Sequence, residues 1–411
     1  MQTKIHKNFN KSVFADEANS ILRSCVHCGF CNATCPTYQL LGNELDGPRG
    51  RIYLIKQMLE TGHSSKDTRL HLDRCLTCRN CETTCPSGVQ FSRLLSIGRE
   101  LSEQQSQRGL PDSFIRRALR LTLPYRNRIR PLVKIAVQLR KVLPASLRRQ
   151  LPEMPKTHPN IKAQPTRHAR TVIMPAGCAQ DAFAPDINAD CRQVLDRLGI
   201  TAVEIDNDGC CGAMSEHMTK ADEAKSFMKR NIDAWWPYIE NGAEAIISTA
   251  SACGVMIKDY GRLLSSDKDY ADKAARVAEL CRDISEFLSG QDLSAFINSD
   301  SKRVSFHAPC TLQHGQKVTG RVEKLLADAG YDIVDYPDSH LCCGAAGTYS
   351  ILQHQLSKQL LNNKLTNLQQ SEPDIIATAN IGCLLHMRSG TDTPVVHWLQ
   401  LISATMDTQN D

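Results

Sequence analysis

Two short runs of the chain each place four cysteines within eleven positions and end on proline. The first reads SCVHCGFCNATCP and the second reads RCLTCRNCETTCP, so both follow the spacing C-x₂-C-x₂-C-x₃-C-P. An iron–sulfur cube draws four thiolates onto one small unit, and in such runs the cysteine before the proline serves the other cube. The sequence therefore predicts two [4Fe–4S] clusters with crossed fourth ligands. They are Cys25, Cys28, Cys31 and Cys85 for cluster 1, and Cys75, Cys78, Cys81 and Cys35 for cluster 2.

Two other uses of closely spaced cysteines fit these runs less well. A zinc knuckle uses two C-x₂-C pairs, whereas here three cysteines precede a fourth before proline, and the run occurs twice. A thioredoxin-type C-x₂-C needs a surrounding βαβ pattern, which is missing here. Between the runs, Ile52, Ile55, Met58 and Leu59 recur at helical intervals after Pro48, which predicts a helical connection.

Length and composition describe an ordinary globular chain around these runs. Its 411 residues are enough for two or three domains, and 41% hydrophobic with 23% charged residues is typical. No stretch approaches the roughly 18 apolar residues of a membrane span, and the first twenty residues lack the apolar core of a signal peptide. The 18 cysteines therefore indicate metal binding in a reducing cytoplasm rather than disulfides.

Positive charge is concentrated in one block. Residues 113–152 hold eleven Lys or Arg and no Asp or Glu, which leaves −6 for the rest of this +5 chain. The block predicts a contact surface for an acidic partner or for anionic lipid headgroups. Apolar residues recur in it at helical spacing, at Leu132, Ile135, Ala136, Leu139 and Leu143. This helix either docks on its own domain or faces a partner or a membrane surface, and the Pro-rich stretch after it reads as a linker.

The chain from residue 171 onward contains an internal repeat. Each copy has a strand leading to a cysteine, a helical pattern closing on glycine, a second strand, a Cys-Cys-Gly 32 positions after the first cysteine, and a third strand leading to a last cysteine. Alternating strands and helices predict parallel α/β sheets, whose ligands gather after the strand ends. The cysteines are Cys178, Cys210, Cys211 and Cys253 in the first copy, and Cys310, Cys342, Cys343 and Cys383 in the second.

This repeat resembles the cysteine-rich CCG domain of heterodisulfide reductase subunits and of iron–sulfur subunits of glycerol-3-phosphate, lactate and glycolate dehydrogenases. That family ends its motif on C-x₂-C, but Ala250 and Asn380 replace the first cysteine of this pair here. The resemblance implies a site for a further iron–sulfur cluster, for which four thiols suffice in a cubane form. The alternative is a set of buried thiols on a scaffold without metal. Among nearby histidines, His307 and His340 adjoin motif cysteines and are the stronger candidates to ligate or tune such a site.

Over nearly its whole length the chain resembles the bacterial glycolate oxidase iron–sulfur subunits. The resemblance is carried by SCVHCGFCNATCPTYQLLGNELDGPRGRIYLIKQ, LDRCLTCRNCETTCPSGV, NIDAWWPYIENGAEAI and DSHLCCGAAGTYSILQ. It implies an α plus α/β fold, with a helical di-cluster ferredoxin domain over 1–110, a basic helical segment and linker over 111–169, and related CCG repeats over 170–300 and 301–411. It also implies FAD on partner subunits that oxidise glycolate, with D-lactate as a second substrate, to the 2-oxo acid.

The residues agree with a conducting rather than a catalytic role. The sequence has no G-x-G-x-x-G after a strand, no P-loop and no evident Ser/His/Asp or paired-carboxylate arrangement, so no catalytic residue is predicted. Electrons are expected to pass towards quinone from a chain held peripherally on the cytoplasmic face of the inner membrane. Arg49, Arg51 and Arg79 either stabilise reduced clusters, contact a partner, or form a solvated face.

Three alternatives to glycolate oxidation stay open at this point. The chain could serve a lactate or glycerol-3-phosphate dehydrogenase. Its repeats could reduce a disulfide, as in heterodisulfide reductases, although the missing fifth cysteine weighs against this. A zinc-dependent nucleic-acid-binding protein could use the basic block on phosphates, but no nucleic acid partner is expected if the cysteines hold iron–sulfur clusters.

Overall fold

A computed structural model of the chain describes residues 1–7, 9, 13–151, 168–205, 207–298 and 301–406. The predicted linker falls mostly on 152–167, outside the described residues. The described residues up to 151 form helices and turns and include no strand, which confirms the helical N-terminal region. Its helices are α1 (Val13–Ser24), α2 (Phe30–Ala33), α3 (Pro36–Leu41), α4 (Pro48–Thr61), α5 (Lys66–Asp73), α6 (Asn80–Thr83), α7 (Phe91–Gln105), α8 (Leu110–Thr122), α9 (Arg126–Gln138) and α10 (Ala145–Arg148).

The core of this region forms where α1, α4 and α7 bring their apolar faces together. Helix α4 begins at Pro48, whose missing N–H falls in the first turn, where no intrahelical partner exists. The predicted apolar spacing is confirmed, because Ile52, Ile55, Met58 and Leu59 are all buried. The two cysteine runs lie in the short connections around α2 and α6, so this core holds both runs in place.

The basic block forms α8 to α10 and is largely exposed. No residue of α8, all of which the structure describes, is buried. Helix α9 docks through Ile129 and Val133 against Ala182 of the first repeat. The stripe predicted from the sequence is turned outward instead, with Leu132 53% and Leu139 52% exposed. The structure therefore leaves this apolar face uncovered.

Two parallel four-stranded sheets with the same topology follow. The first has strand order β2-β1-β3-β4 and the second β6-β5-β7-β8. The three strands predicted in each copy are confirmed, whereas the fourth strand of each sheet was not predicted. The strands are β1 (Arg170–Ile173), β2 (Ile200–Val203), β3 (Ile246–Ser248), β4 (Cys281–Asp283), β5 (Arg303–His307), β6 (Asp332–Ile333), β7 (Ile375–Thr378) and β8 (Val395–His397).

Helices connect these strands as crossovers, as parallel pairing requires. In each repeat, the helix that leads into the second strand closes on a glycine in the left-handed region, Gly199 at φ 72° and Gly330 at φ 93°, as predicted. The helices of the first repeat are α11 (Ala179–Phe183), α12 (Asp186–Arg197), α13 (Ala213–His217), α14 (Ala221–Glu240), α15 (Ser251–Lys258), α16 (Tyr260–Leu263), α17 (Ala271–Leu280) and α18 (Ile284–Leu288). Those of the second are α19 (Arg321–Asp328), α20 (Tyr349–Leu352), α21 (His354–Gln369), α22 (Ile381–Arg388) and α23 (Trp398–Ala404).

The two repeats share one hydrophobic core. Val172 and Ile247 of the first sheet belong to the same cluster as Val304 and Trp398 of the second repeat, and all four are fully buried. Each repeat's last cysteine lies near the start of a helix that follows its third strand, Cys253 on α15 and Cys383 on α22. The shared core therefore fixes both groups of cysteines within one packed unit.

Candidate metal centres

Both N-terminal cysteine runs fold into the same tight curl. His27 and Gly29 of the first run, and Thr77 and Arg79 of the second, all have φ between 56° and 86°. For residues other than glycine this conformation costs about 1–2 kcal/mol each, and such strain is characteristic of ligand-holding segments. A Cβ added at Gly29 would lie 2.6 Å from Nη1 of Arg49, so a larger residue there would displace the Arg49 side chain.

The eight thiols converge on two small cavities, and the fourth cysteine of each run crosses to the other run's cavity. The first cavity is lined by Cys25, Cys28, Cys31 and Cys85, with Cys81 also reaching it. The second is lined by Cys35, Cys75, Cys78 and Cys81. The structure thus brings together the two sets that the spacing groups. Four converging thiols are the donor set that a [4Fe–4S] cube takes, so the residues present fit two such cubes.

Burial keeps several of these thiols protonated until a metal displaces the proton. Desolvation, reinforced by the neighbouring Cys25, raises the pKa of the Cys31 thiol to about 11. Desolvation also raises the pKa values of Cys78 and Cys81 well above the usual range. Because metal binding requires thiolates, assembly at these cavities releases protons.

Backbone amides and one buried arginine surround the sulfur atoms. The amide of Thr77 donates to Sγ of Cys75 at 3.4 Å. Arg51 is 1% exposed, and its Nη1 lies 3.9 Å from Sγ of Cys35. Its Nη2 donates to Thr37 Oγ1 at 3.1 Å, which fixes the guanidinium beside the thiol. Donors and positive charge at the sulfurs set the potential of a bound cluster.

A second arginine beside this cavity was missed from the sequence. Arg99 of α7 donates to the carbonyl oxygens of Leu72 at 2.9 Å and Cys75 at 2.7 Å. It also donates to Oγ1 of Thr77 at 3.1 Å. These hydrogen bonds attach the second curl to α7. The sequence offers little signal for this role, because Arg99 is one of four charged residues in α7.

The other two predicted arginines form ion pairs. Arg49 binds Glu44 at 2.6 Å beside the first cavity. Arg79 binds Asp259 of the first repeat at 2.7 Å, so it ties the second run to the α/β region.

The two cavities differ in their access to solvent. Cys28 is exposed, and Val26 and Phe30 beside it are 68% and 63% exposed. The second cavity instead faces the second repeat, where Cys78 packs in one cluster with Cys310 and Cys342. One site is therefore at the surface and the other is enclosed between two parts of the chain.

The Cys-Cys-Gly turns of the two repeats have the same geometry. Gly212 has φ 91° and Gly344 has φ 90°, and each amide donates to the sulfur of the cysteine two positions earlier, at 3.5 and 3.4 Å. A Cβ added at Gly344 would lie 2.8 Å from the carbonyl oxygen of Ser357. Glycine is therefore required for a turn that presents two consecutive thiols.

The four predicted cysteines of each repeat lie after strand ends and neighbour one another. In the first repeat, the adjacent Cys210 thiol and burial raise the pKa of Cys178. In the second, Sγ of Cys310 lies 3.8 Å from Sγ of Cys342. Asn380, which replaces the missing motif cysteine, donates from Nδ2 to Sγ of Cys383 at 3.5 Å.

The histidines near these cysteines have different surroundings. His307, which is fully buried, has a ring nitrogen within 4.8 Å of the sulfurs of Cys343 and Cys383, which are themselves within that distance of each other. The ring of His314 contacts Thr83 Oγ1 and the carbonyl oxygen of His340, each at 2.9 Å, and so bridges to α6. His217 ends α13 and is exposed.

Comparison with known proteins agrees with this architecture. Residues 21–89 match the 4Fe-4S dicluster domain family, and 172–258 and 304–388 match the cysteine-rich domain family CCG. The glycolate oxidase iron-sulfur subunit of Escherichia coli (strain K12) is 49% identical over 408 residues, which are 99% of this chain and 100% of that protein. The chain belongs to the glycolate oxidase iron–sulfur subunit family. This confirms the resemblance, and the dicluster match confirms two [4Fe–4S] clusters as cofactors.

Two further relatives have lower identity to the chain. A probable glycolate oxidase iron-sulfur subunit of Bacillus subtilis (strain 168) is 30% identical over 401 residues, covering 90% of this chain and 89% of the relative. Lactate utilization protein A of the same organism is 24% identical over 237 residues, 55% of this chain and 96% of that protein. A crystal structure of a hypothetical protein from Helicobacter pylori superposes with a TM-score of 0.55 at 9% identity, covering 88% and 68% of the two chains, and supports the fold alone.

Within the described ranges, no helix has both the length and the hydropathy that spanning a bilayer requires.

Proposed function

We propose that this chain is the electron-transfer subunit of a multi-subunit, flavin-dependent glycolate oxidase. Partner subunits carrying FAD oxidise glycolate to glyoxylate, and this chain passes the electrons towards quinone. The observation that carries the proposal is the crossed gathering of eight thiols around two cavities, in a chain related over its full length to the subunit of that name.

The proposed ligands follow the two cavities. Cluster 1 is assigned to Cys25, Cys28, Cys31 and Cys85, and cluster 2 to Cys35, Cys75, Cys78 and Cys81. When bound, the clusters supply one-electron carriers of the kind found in ferredoxins. The chain holds them through its curled backbone, and Arg51 places positive charge where reduction adds negative charge.

The two sites are suited to different exchanges. Cys28 lies at the surface between the exposed apolar side chains of Val26 and Phe30. Such a rim supports a contact with a flavin subunit, because apolar side chains can be desolvated when a partner approaches. Cys78 lies towards Cys310 and Cys342, so the second site faces the second repeat rather than solvent.

The complex itself tests this function. Anaerobically assembled complex should lose its broad absorption near about 400 nm when glycolate is added. Cys85→Ser should keep glycolate-dependent flavin reduction and lose quinone reduction, since cluster 1 is interrupted beyond the flavin. Cys191→Ser, a fully buried cysteine outside both runs, is the matched control and should conduct normally.

Two results would contradict the proposal. The first is bleaching by glycerol-3-phosphate, or by D-lactate alone, with no response to glycolate. The second is normal quinone reduction by Cys85→Ser.

We further propose that α8 to α10 bind the anionic cytoplasmic face of the inner membrane. Large apolar side chains stand exposed there, including Leu110 at 87%, Phe114 at 73% and Val142 at 78%. Several basic side chains of the same block form no ion pair with any described residue, namely Arg117, Lys134, Arg140, Lys141 and Arg148. Apolar and basic residues on one helical surface bind anionic bilayers, at about 1 kcal/mol per basic residue.

Vesicle binding tests this surface. The complex should co-sediment with vesicles of phosphatidylglycerol and phosphatidylcholine, but not with phosphatidylcholine alone, and high salt should release it. Leu132→Ser combined with Ile135→Ser should weaken binding at least about tenfold, because both apolar contacts are lost. Ile351→Ser, equally exposed at 52% in the second repeat, is the control. If the double variant instead loses its flavin partners and wild type ignores the vesicles, the face is a subunit contact.

A further inference from the structure

The second repeat contains a compact donor group that differs from the two four-thiol cavities. A ring nitrogen of His307 and the sulfurs of Cys343 and Cys383 lie within 4.8 Å of one another, and all three residues are buried. We propose that these residues bind a single soft divalent ion of the zinc class. The ion would join three elements, since His307 ends β5, Cys343 lies in the Cys-Cys-Gly turn and Cys383 lies on α22.

The two ring nitrogens of His307 are buried without a hydrogen-bond partner among the described residues. The residue is 0% exposed, and neither Nδ1 nor Nε2 meets a hydrogen-bond partner within the described ranges. A buried polar group left unsatisfied costs about 1–3 kcal/mol, so native structures nearly always give such a group a partner. A metal ion bound through the ring nitrogen that faces the thiols supplies one.

The spacing of the donors fits one ion better than a cube. Zinc binds sulfur at about 2.3 Å and nitrogen at about 2.0–2.1 Å, so two ligands of one ion lie at most about 4.6 Å apart. The three donor atoms meet within nearly that limit. A cubane cluster holds its thiolates on separate irons, and its ligands must stand farther apart. Cys310 and Cys342, at 3.8 Å between sulfurs, are likewise closer than a cube requires.

The surroundings complete the site chemically. Asn380 Nδ2 donates to Sγ of Cys383 at 3.5 Å, which favours the thiolate. The ammonium of Lys364, 2% exposed, lies near the thiol of Cys343 and offsets its charge. The thiol of Cys342 interacts with that of Cys343 but does not lie within 4.8 Å of all three donors. Two thiolates, an imidazole and one more donor form a set typical of zinc.

Among the residues of the first repeat that the structure describes, no such donor group is found. Three positions before its first cysteine stands Pro175, where the second repeat has His307 three positions before Cys310. The inference is therefore confined to one of two otherwise similar repeats, and it predicts one ion per chain.

Metal analysis and X-ray absorption of the anaerobically purified full complex test the inference. We expect about eight irons from the two ferredoxin-type clusters and about one zinc per chain. The zinc edge should show sulfur and imidazole scattering. His307→Gln should lower zinc content at least about tenfold, because a ligand is removed. His386→Gln, a histidine of the same repeat that contacts Ser357 Oγ, should keep its zinc.

The outcomes separate this inference from the proposed function. Loss of zinc from His307→Gln, with its eight irons retained, supports the site. Wild type with no zinc and about twelve irons would show a third cluster and overturn it, as would zinc that persists in His307→Gln. If His307→Gln does not fold, the wild-type zinc spectrum decides, because scattering by sulfur without imidazole contradicts the assignment. Loss of the eight irons bears on the proposed function alone.

Discussion

Replacing Arg51 by Met should lower the reduction potential of the second cluster. The guanidinium is 1% exposed and its Nη1 lies 3.9 Å from Sγ of Cys35. At that distance, unit charges interact by about 4 kcal/mol at an effective dielectric constant of 20. The added electron is spread over the cube, and the Asp46 carboxylate 3.6 Å from Arg51 offsets part of its charge. We therefore expect Arg51→Met to destabilise the reduced second cluster by about 1–2 kcal/mol. For one electron this lowers the reduction potential by about 40–90 mV.

A redox titration followed by electron paramagnetic resonance measures this shift in the anaerobic complex. Arg51→Lys keeps the charge and should recover most of the potential, which separates charge from packing. Arg49→Met removes a charge beside the first cavity and should leave the second potential unchanged. A wild-type potential in Arg51→Met, at full iron content, would refute the assignment of Arg51 to this cluster.

Two further predictions concern stability, both measured by anaerobic urea unfolding. Gly344→Ala should lower the free energy of unfolding by about 2–4 kcal/mol, because its left-handed φ of 90° and a Cβ 2.8 Å from Ser357 O both oppose a side chain. The control Gly347→Ala, with open space around it, should lower it by about 1 kcal/mol. Equal losses in the two variants would contradict the turn geometry. Burial raises the pKa of Asp283 to about 6, above its unfolded value, so its favourable contribution is lost as pH rises through 6. Between pH 5 and 8, the free energy of unfolding of wild type should fall by about 1.4 kcal/mol more than that of Asp283→Asn. Parallel curves of unfolding free energy against pH for the two proteins would show that this carboxyl does not titrate as described.

Local spacing was sufficient to predict much of the fold. The buried face of α4 and the glycines after α12 and α19 depend on neighbours within a few residues, and patterns of that range are visible in a sequence. The three predicted strands of each repeat were found for the same reason. Strands β4 and β8, by contrast, run directly into α18 and α23 with no intervening turn, so no turn signal separates them from the helix that follows.

The features missed from the sequence depend on tertiary placement. The stripe at Leu132 has the spacing of a docked helix, yet α9 docks through Ile129 and Val133 instead. From the sequence, Arg99 is an ordinary surface charge of a helix. Only the tertiary structure brings it to the carbonyl oxygen of Cys75 in the second curl. The approach of His307 to Cys383 joins residues 76 positions apart, and no local pattern specifies it. The domain boundaries given above, including the basic helical segment and linker over 111–169, stay predictions.

Crossed ligation is the central claim, and the resonance signals of single cysteine variants test it most directly. Cys78→Ser and Cys28→Ser serve as references, since they lie on different cavities. Cys35→Ser should perturb the signal that Cys78→Ser perturbs and leave the other intact, although Cys35 and Cys28 belong to the same run. If Cys35→Ser instead alters the signal that Cys28→Ser alters, each run binds its own cluster and the crossed assignment is wrong.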